Sequence, residues 1–188
     1  MSQKHSYVLS VMSADQPGIV SAVTRAIKTL DGNISSCSQT VLEGYFTLIM
    51  LISLDAKVDP SVIKKAIITS GGSRRHFEVV VCPAKPPEVK DSEDIDQFVV
   101  TAFGSDQSGI VQQFSDYLAG KDINIVDLFG ELRGDGDFVL IGQLEIPRRY
   151  NIQMLQTDLA EIGQRLGFNV QLQHQDIFVA TNELRMTG

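Results

Sequence analysis

The sequence predicts an α+β protein made of two tandem modules, each with the element order β-α-β-β-α-β and an antiparallel sheet. Three observations carry this prediction. Asp15-Gln16-Pro17-Gly18-Ile19-Val20 returns as Asp106-Gln107-Ser108-Gly109-Ile110-Val111, an offset of 91 residues. Asp31-Gly32-Asn33-Ile34 returns at the same offset as Asp122-Ile123-Asn124-Ile125. Between and beyond these landmarks, strand-like apolar runs and helical apolar spacing alternate in the same order in both halves. A chain of 188 residues can hold one large domain or two small ones. The repeat decides for two of roughly 90 residues, each able to bury only a modest core.

The elements follow in order. Residues 7–12 are short and apolar and read as a buried strand. Pro17 pre-sets a helical φ at a first-turn position, where its missing N–H costs nothing. Ile19, Val20, Val23, Ile27 and Leu30 then recur at helical spacing, and Asp31-Gly32-Asn33 ends that helix. Residues 34–42 and 45–54 flank Glu43-Gly44, a hairpin signal. Asp59-Pro60-Ser61 opens a second helix carrying Val62, Ile63, Ala66 and Ile67, and Gly71-Gly72 stops it. Residues 77–82 form the closing strand. Pro83-Ala84-Lys85-Pro86-Pro87 and the acidic run to Asp96 read as an extended connection. The expected modules are therefore 1–84 and 94–188, with a linker at 85–93.

In the second copy, 95–103 is a strand, and Ile110, Val111, Phe114 and Leu118 form a helix face. Residues 123–132 and 138–146 make a hairpin around Gly134-Asp135-Gly136, and 152–166 is the second helix. The last strand runs from Phe168 to about Val179, followed by a loose polar tail after Ala180. This order is ferredoxin-like: a four-stranded antiparallel sheet with both helices on one face.

Composition narrows the function classes. The hydrophobic fraction of 43% and charged fraction of 21% are those of a globular protein. A formal charge of −7 argues against broad binding to nucleic acid or to an anionic membrane. The tight basic clusters, Arg74-Arg75-His76 and Arg148-Arg149, read as solvated surface or as anion or partner sites. Cys37 and Cys82 lack metal-ligand spacing and are expected to be buried as small apolar residues. The N-terminus enters a strand without a signal-peptide apolar region, and no apolar run reaches transmembrane length, so a cytoplasmic protein is expected.

Here the residues resemble those of the ACT domain, a small ferredoxin-like ligand-sensing module, as two tandem copies over nearly the whole chain. The carriers are Asp15-Gln16-Pro17-Gly18-Ile19-Val20 with Gly32-Asn33-Ile34, and in the second copy Asp106, Gly109, Asn124 and Ile125. Ser108 replaces Pro17 in the second copy, which leaves equivalence of the two sites open. The tandem pair without a catalytic domain is similar to the glycine-cleavage-system repressor-like group of bacterial regulators. The first copy is also similar to the N-terminal ACT domain of formyltetrahydrofolate deformylase. The resemblance implies an amino acid bound at an interface between modules, with glycine or serine favoured by analogy.

The chemistry of the repeated residues suits such a ligand. A helix N-terminus offers unpaired N–H groups and partial positive charge for a carboxylate. The amides of Gly18 and Ile19, and of Gly109 and Ile110, are the candidates, beside Gln16 and Gln107. Gly18 and Gly109 allow close backbone approach. Asp15 and Asp106 can receive the ammonium group, or they only cap the helices. Asn33 and Asn124 can serve either end of an amino acid, or they only hold a turn with φ > 0. The expected site sets the loop 15–19 of one module against Asn33 or Asn124, with the loop 106–110 forming its equivalent.

Other signals fail. Gly104 to Gly109 has the glycine spacing of a phosphate loop, but Ile110-Val111 follow in place of Lys and Ser/Thr. His5, His76 and His174 lie apart, and no nucleophile–base arrangement recurs between copies. The expectation is a non-enzymatic sensor with no cofactor and no metal. It regulates a protein partner such as a transcription regulator, or it is a regulatory subunit of a metabolic enzyme, or a pure interaction module. The apolar residues of Phe46-Thr47-Leu48-Ile49-Met50-Leu51 exceed what one sheet face needs, so association of the copies and a homodimer are expected.

Overall fold

The computed structural model describes residues 4–85, 94–134 and 136–186. The expected linker, beyond Lys85, and Asp135 at the second hairpin tip lie outside the described residues. The chain divides into two compact units, Met1–Glu88 and Val89–Gly188. The first holds β1 (His5–Ala14), α1 (Ile19–Thr29), β2 (Asn33–Leu42), β3 (Tyr45–Leu54), α2 (Pro60–Ser70) and β4 (Glu78–Pro83). The second holds β5 (Ile95–Ser105), α3 (Ile110–Ala119), β6 (Asn124–Leu132), β7 (Asp137–Pro147), α4 (Ile152–Arg165), β8 (Phe168–His174) and α5 (Gln175–Met186). The sheets have the orders β2-β3-β1-β4 and β6-β7-β5-β8, antiparallel throughout. The expected ferredoxin-like fold is present twice.

Alternation along the strands explains the layers. In β3, Phe46, Leu48, Met50, Ile52 and Leu54 are buried; in β1, so are Tyr7, Leu9 and Val11. They share one core with Ile19, Val23 and Ile27 of α1 and Ile63 and Ile67 of α2. The second unit repeats this with Phe98, Val100, Leu140 and Leu144 beneath Ile110, Phe114, Leu155 and Leu159.

The punctuation is read from backbone chemistry. Glu43 (φ 48°) and Gly44 (φ 80°) are both left-handed, as a type I′ hairpin turn requires. Past α1, Asp31 adopts φ 53°, with its N–H donating to Lys28 O and the Gly32 N–H donating to Ile27 O. Asp122 (φ 54°) ends α3 in the same way, its N–H bound to Ala119 O and that of Ile123 to Leu118 O. These are Schellman-type stops with Asp at the left-handed position. The second landmark of the repeat is therefore, in part, a helix-termination signal.

The side chain of Asp59 caps α2 by accepting from Ser61 N at 2.8 Å, and that of Asn151 caps α4 by accepting from Met154 N at 3.2 Å. The Ser61 hydroxyl also donates to Asp59, and this hydrogen bond holds the carboxyl below the ordinary Asp range. Replacing Asn151 by alanine is expected to cost the second unit about 1 kcal/mol, the usual value of an N-cap, as a lowered urea midpoint at unchanged slope.

Three expectations need correction. Cys37 and Cys82 are exposed, not buried. Cys37 lies on β2, the outer strand of its sheet, which is exposed along nearly its whole length. The closing strand of the second unit does not run to Val179. It ends at His174, and residues 175–186 form α5 instead of a loose tail. The Asp176 N–H donates to His174 Nδ1 at 3.3 Å, and an acidic first turn suits a helix start. This helix lies on the face of sheet β6-β7-β5-β8 opposite α3 and α4. It covers Val99, only 3% exposed although it points away from the main core, and shares with it a cavity of about 190 Å³ that Phe129, Ile141, Phe178 and Val179 also line. The corresponding face of the first sheet leaves Val8, Met12, Ile49 and Val80 exposed.

Candidate functional site

Each repeated loop links the first strand of a unit to its first helix, and backbone bonds fix it. The Asp15 N–H donates to Gly44 O at 2.8 Å, tying the loop to the hairpin turn. The Asp106 N–H makes the same bond to Gly136 O at 3.0 Å. Gly18 (φ 90°) and Gly109 (φ 103°) are the N-cap residues of α1 and α3, both in the left-handed region. Only glycine takes that conformation without strain, which accounts for its return at the repeat. Ile19 and Ile110 follow as the first helical residues and are buried as anchors in the two cores.

This geometry revises the expected helix starts. Pro17 stands ahead of the N-cap, not inside the first turn. Neither helix has a side-chain cap, so Asp15 and Asp106 do not serve as caps. Both Asp residues are exposed, while Gln16 is half-buried and Gln107 exposed. The first-turn N–H groups of α1 and α3 are left without intrahelical partners. Such a terminus is chemically suited to an anion, and each Asp to a cation.

The Asn residues sit elsewhere. Asn33 pairs with Ser53, which pairs with Ser6 near the start of β1, whereas the loop leaves the far end of β1 after Ala14. At ~3.4 Å per residue, Ser6 and Ala14 are about 27 Å apart along the strand. Asn124 pairs with Glu145 and through it with Gln97, again at the end of its sheet remote from Asp106. No single unit therefore brings its loop and its Asn together. Nor do the Asn residues take positive φ; Asp31 and Asp122 do. The Asn124 side chain donates to Glu145 at 3.0 Å, a carboxylate that Gln97 also approaches at 3.4 Å. In the first unit Ser53 replaces that carboxylate opposite Asn33.

One residue missing from the expected site is Arg75. Its Nη2 donates to Pro17 O at 2.9 Å across a sequence separation of 58. The guanidinium lies against Gly18, where a Cβ would come within 2.7 Å of Nη2. Its Nε is buried and has no hydrogen-bond partner. The 91-residue offset could have found an asymmetry here, because it aligns Phe77 with Phe168 and so Arg75 with Leu166. Leu166 packs against the second core, and no atom lies within 4 Å of a Cβ at Gly109. The other basic cluster is engaged at the surface: Arg148 holds Asp96 at 2.9 Å and Asp94 at 3.5 Å. Between α3 and α4 the Tyr117 hydroxyl donates to Asp158 at 2.6 Å; burial first, and then that carboxylate, raise the phenol above its ordinary range. Among the described residues, no cluster of three or more His, Cys, Asp or Glu is placed to hold a metal ion. No helix among them is long and apolar enough to cross a membrane.

The family model for the ACT domain matches residues 5–70 and again 96–173. The chain belongs to the ACT domain family. Both matches contain the Asp-Gln-x-Gly-Ile-Val loop and the Asn, so the tandem reading of this ACT chain rests on sequence as well as on fold. A UPF0237 protein of Methanosarcina acetivorans is 32% identical over 83 residues, which are 44% of this chain and 89% of that protein. A UPF0237 protein of Methanocaldococcus jannaschii is 35% identical over 65 residues, 34% of this chain and 72% of its own. These relatives have the extent of one module. Two solved structures match the whole ACT pair. An unknown protein from Galdieria sulphuraria is 28% identical at a TM-score of 0.75, over 92% of this chain and 99% of its own. A protein described as a "putative glycine cleavage system transcriptional repressor" is 19% identical at a TM-score of 0.66, over 93% of this chain and 100% of its own.

Proposed function

We propose that this tandem ACT chain is a non-enzymatic amino-acid sensor that regulates a protein partner, with modules at 1–84 and 94–188 and action in the cytoplasm. The observation that carries the reading is the loop made twice: a left-handed glycine N-cap opening a helix, with an exposed, uncapping carboxylate three residues before it. The helix end suits the ligand carboxylate and the Asp suits its ammonium. Asp15, Gln16, Gly18 and Ile19, with Asp106, Gln107, Gly109 and Ile110, form the two loops; Asn33 and Asn124 are the further candidate ligand residues. The similarity to the protein described as a "putative glycine cleavage system transcriptional repressor" supports a transcription regulator as partner, and glycine or serine is the ligand by analogy. A metabolic enzyme is the alternative partner.

A second reading has its own observation. Val8, Met12, Ile49 and Val80 make an exposed apolar face on the first sheet, whereas α5 covers part of the corresponding face of the second, over Val99, and leaves Phe103 and Phe129 exposed. Such a face suits a protein interface, including that of a homodimer, with or without a ligand. Thermal unfolding of the intact chain against the twenty amino acids decides between the readings. A sensor gives one or two amino acids that raise Tm in a concentration-dependent way. A flat panel leaves the interaction module.

A further inference from the structure

The Arg74-Arg75-His76 cluster has no part in the two-loop reading, because its central residue occurs in one module only. Arg75 reaches back to the loop before α1 and sets its guanidinium against Gly18. That is an unfavourable place for a cation, since the N-terminus of a helix carries the positive end of its dipole. The guanidinium donates instead to a neutral acceptor, Pro17 O, at 2.9 Å. Its Nε is buried without a partner, the one such side-chain atom among the described residues, and an unmatched buried donor is costly. A carboxylate answers each of these features. Its negative charge offsets both the guanidinium and the helix end, and its two oxygens match the planar fork of the arginine.

We propose that Arg75 is a ligand-binding residue of the first unit: it swings from Pro17 O to clamp the carboxylate of a small carboxylic acid against the N-terminus of α1. This rests on the reading of the loops as ligand sites. It adds that the two sites are not equivalent. Leu166 stands where Arg75 stands, and the space about Gly109 is open. The first site therefore requires a carboxylate, and the second binds one only through backbone N–H groups.

The test uses the full chain, isotope-labelled, with acetate, acetamide and glycine as probes. NMR follows the Arg75 Nε–H signal and the Gly18 and Gly109 amides. Acetate and glycine are expected to shift Gly18 and the Arg75 Nε–H together, while acetamide, which has the shape without the charge, leaves both in place. Arg75→Gln should weaken acetate at Gly18 by about tenfold or more. Arg75→Lys should recover part of that loss, and Gly109 should respond alike in all forms. Acetate binding unchanged in both variants, acetamide acting like acetate, or no response of Gly18 to either acid would overturn the proposal. The wild-type probes decide it even where a variant fails to fold. Glycine binding that survives Arg75→Gln removes this inference and leaves the sensor. Acetate binding through Arg75 with no response to any amino acid removes the sensor and leaves the arginine site.

Discussion

Replacing Gly104 by valine is expected to destabilise the second unit by at least about 3 kcal/mol while the first unit keeps its stability. Gly104 lies in β5 between Phe138 of β7 and Phe168 of β8. A Cβ there would overlap the carbonyl oxygen of Gly167 and come within 2.9 Å of Phe168 Cα and of its ring. Backbone atoms cannot rotate aside as a flexible side chain can, so relief requires β8 to move off β5. That shift would loosen the pairing from Phe98 to Gly104 and part the T-shaped Phe138–Phe168 contact, whose centroids are 6.5 Å apart. The first unit supplies the contrast, since Ser13 occupies the equivalent position of β1 with its side chain buried. Hydrogen exchange, read unit by unit, checks the outcome. Protection in β5 and β8 should collapse while β1 and β3 remain slow; a loss below about 1 kcal/mol would show that the sheet absorbs the side chain.

The parts of the fold set by local chemistry were legible. Alternation in residues 46–54, the left-handed pair at Glu43-Gly44 and the stops after α1 and α3 are written in short windows, and they fix order and register. What escaped depends on distant segments. The apolar residues Ile177, Phe178 and Val179 extend a strand pattern as well as they begin a helix, and only the uncovered face carrying Val99 selects the helix. The exposure of Cys37 follows from the outer place of β2 in its sheet, which no local window reports. At the candidate site, the sequence marked the right glycines for a reason that is partly conformational, as their φ of 90° and 103° shows. It left open whether the loop 15–19 meets Asn33 or Asn124, and only the strand register shows that Asn33 lies at the end of its sheet opposite that loop. It read Arg75 as solvated surface or as an anion or partner site but did not connect it to the loop, because the bond to Pro17 spans almost a whole module.

Asp15→Ala is expected to weaken binding of the amino acid selected by the thermal panel about tenfold to a hundredfold, the loss of a charged hydrogen bond of roughly 1.5–3 kcal/mol. The absence of a side-chain cap on α1 separates binding from folding in this variant. If Asp15 held the helix, its removal would unravel the loop and confuse binding with folding. The N-cap is instead Gly18, and the loop is tied down by the backbone bond from Asp15 N to Gly44 O, which alanine keeps. Stability should therefore stay within about 0.5 kcal/mol while affinity falls, as for a surface substitution away from structural features. Asp106→Ala tests the second loop on the same terms, since its N–H to Gly136 O bond is likewise preserved. Gly18→Val is a poorer probe. The residue sits at φ 90° with Arg75 against it, so a side chain strains the backbone and displaces the arginine at once. Asp116→Ala, on the exposed face near the other end of α3, serves as the charge-matched control and should leave affinity unchanged. Calorimetry on the three alanine variants separates the outcomes. A loss confined to Asp15→Ala makes the first loop the working site, and a loss confined to Asp106→Ala makes it the second. Native affinity in both places the ligand away from the repeated loops altogether, and the two glycines then serve the backbone alone.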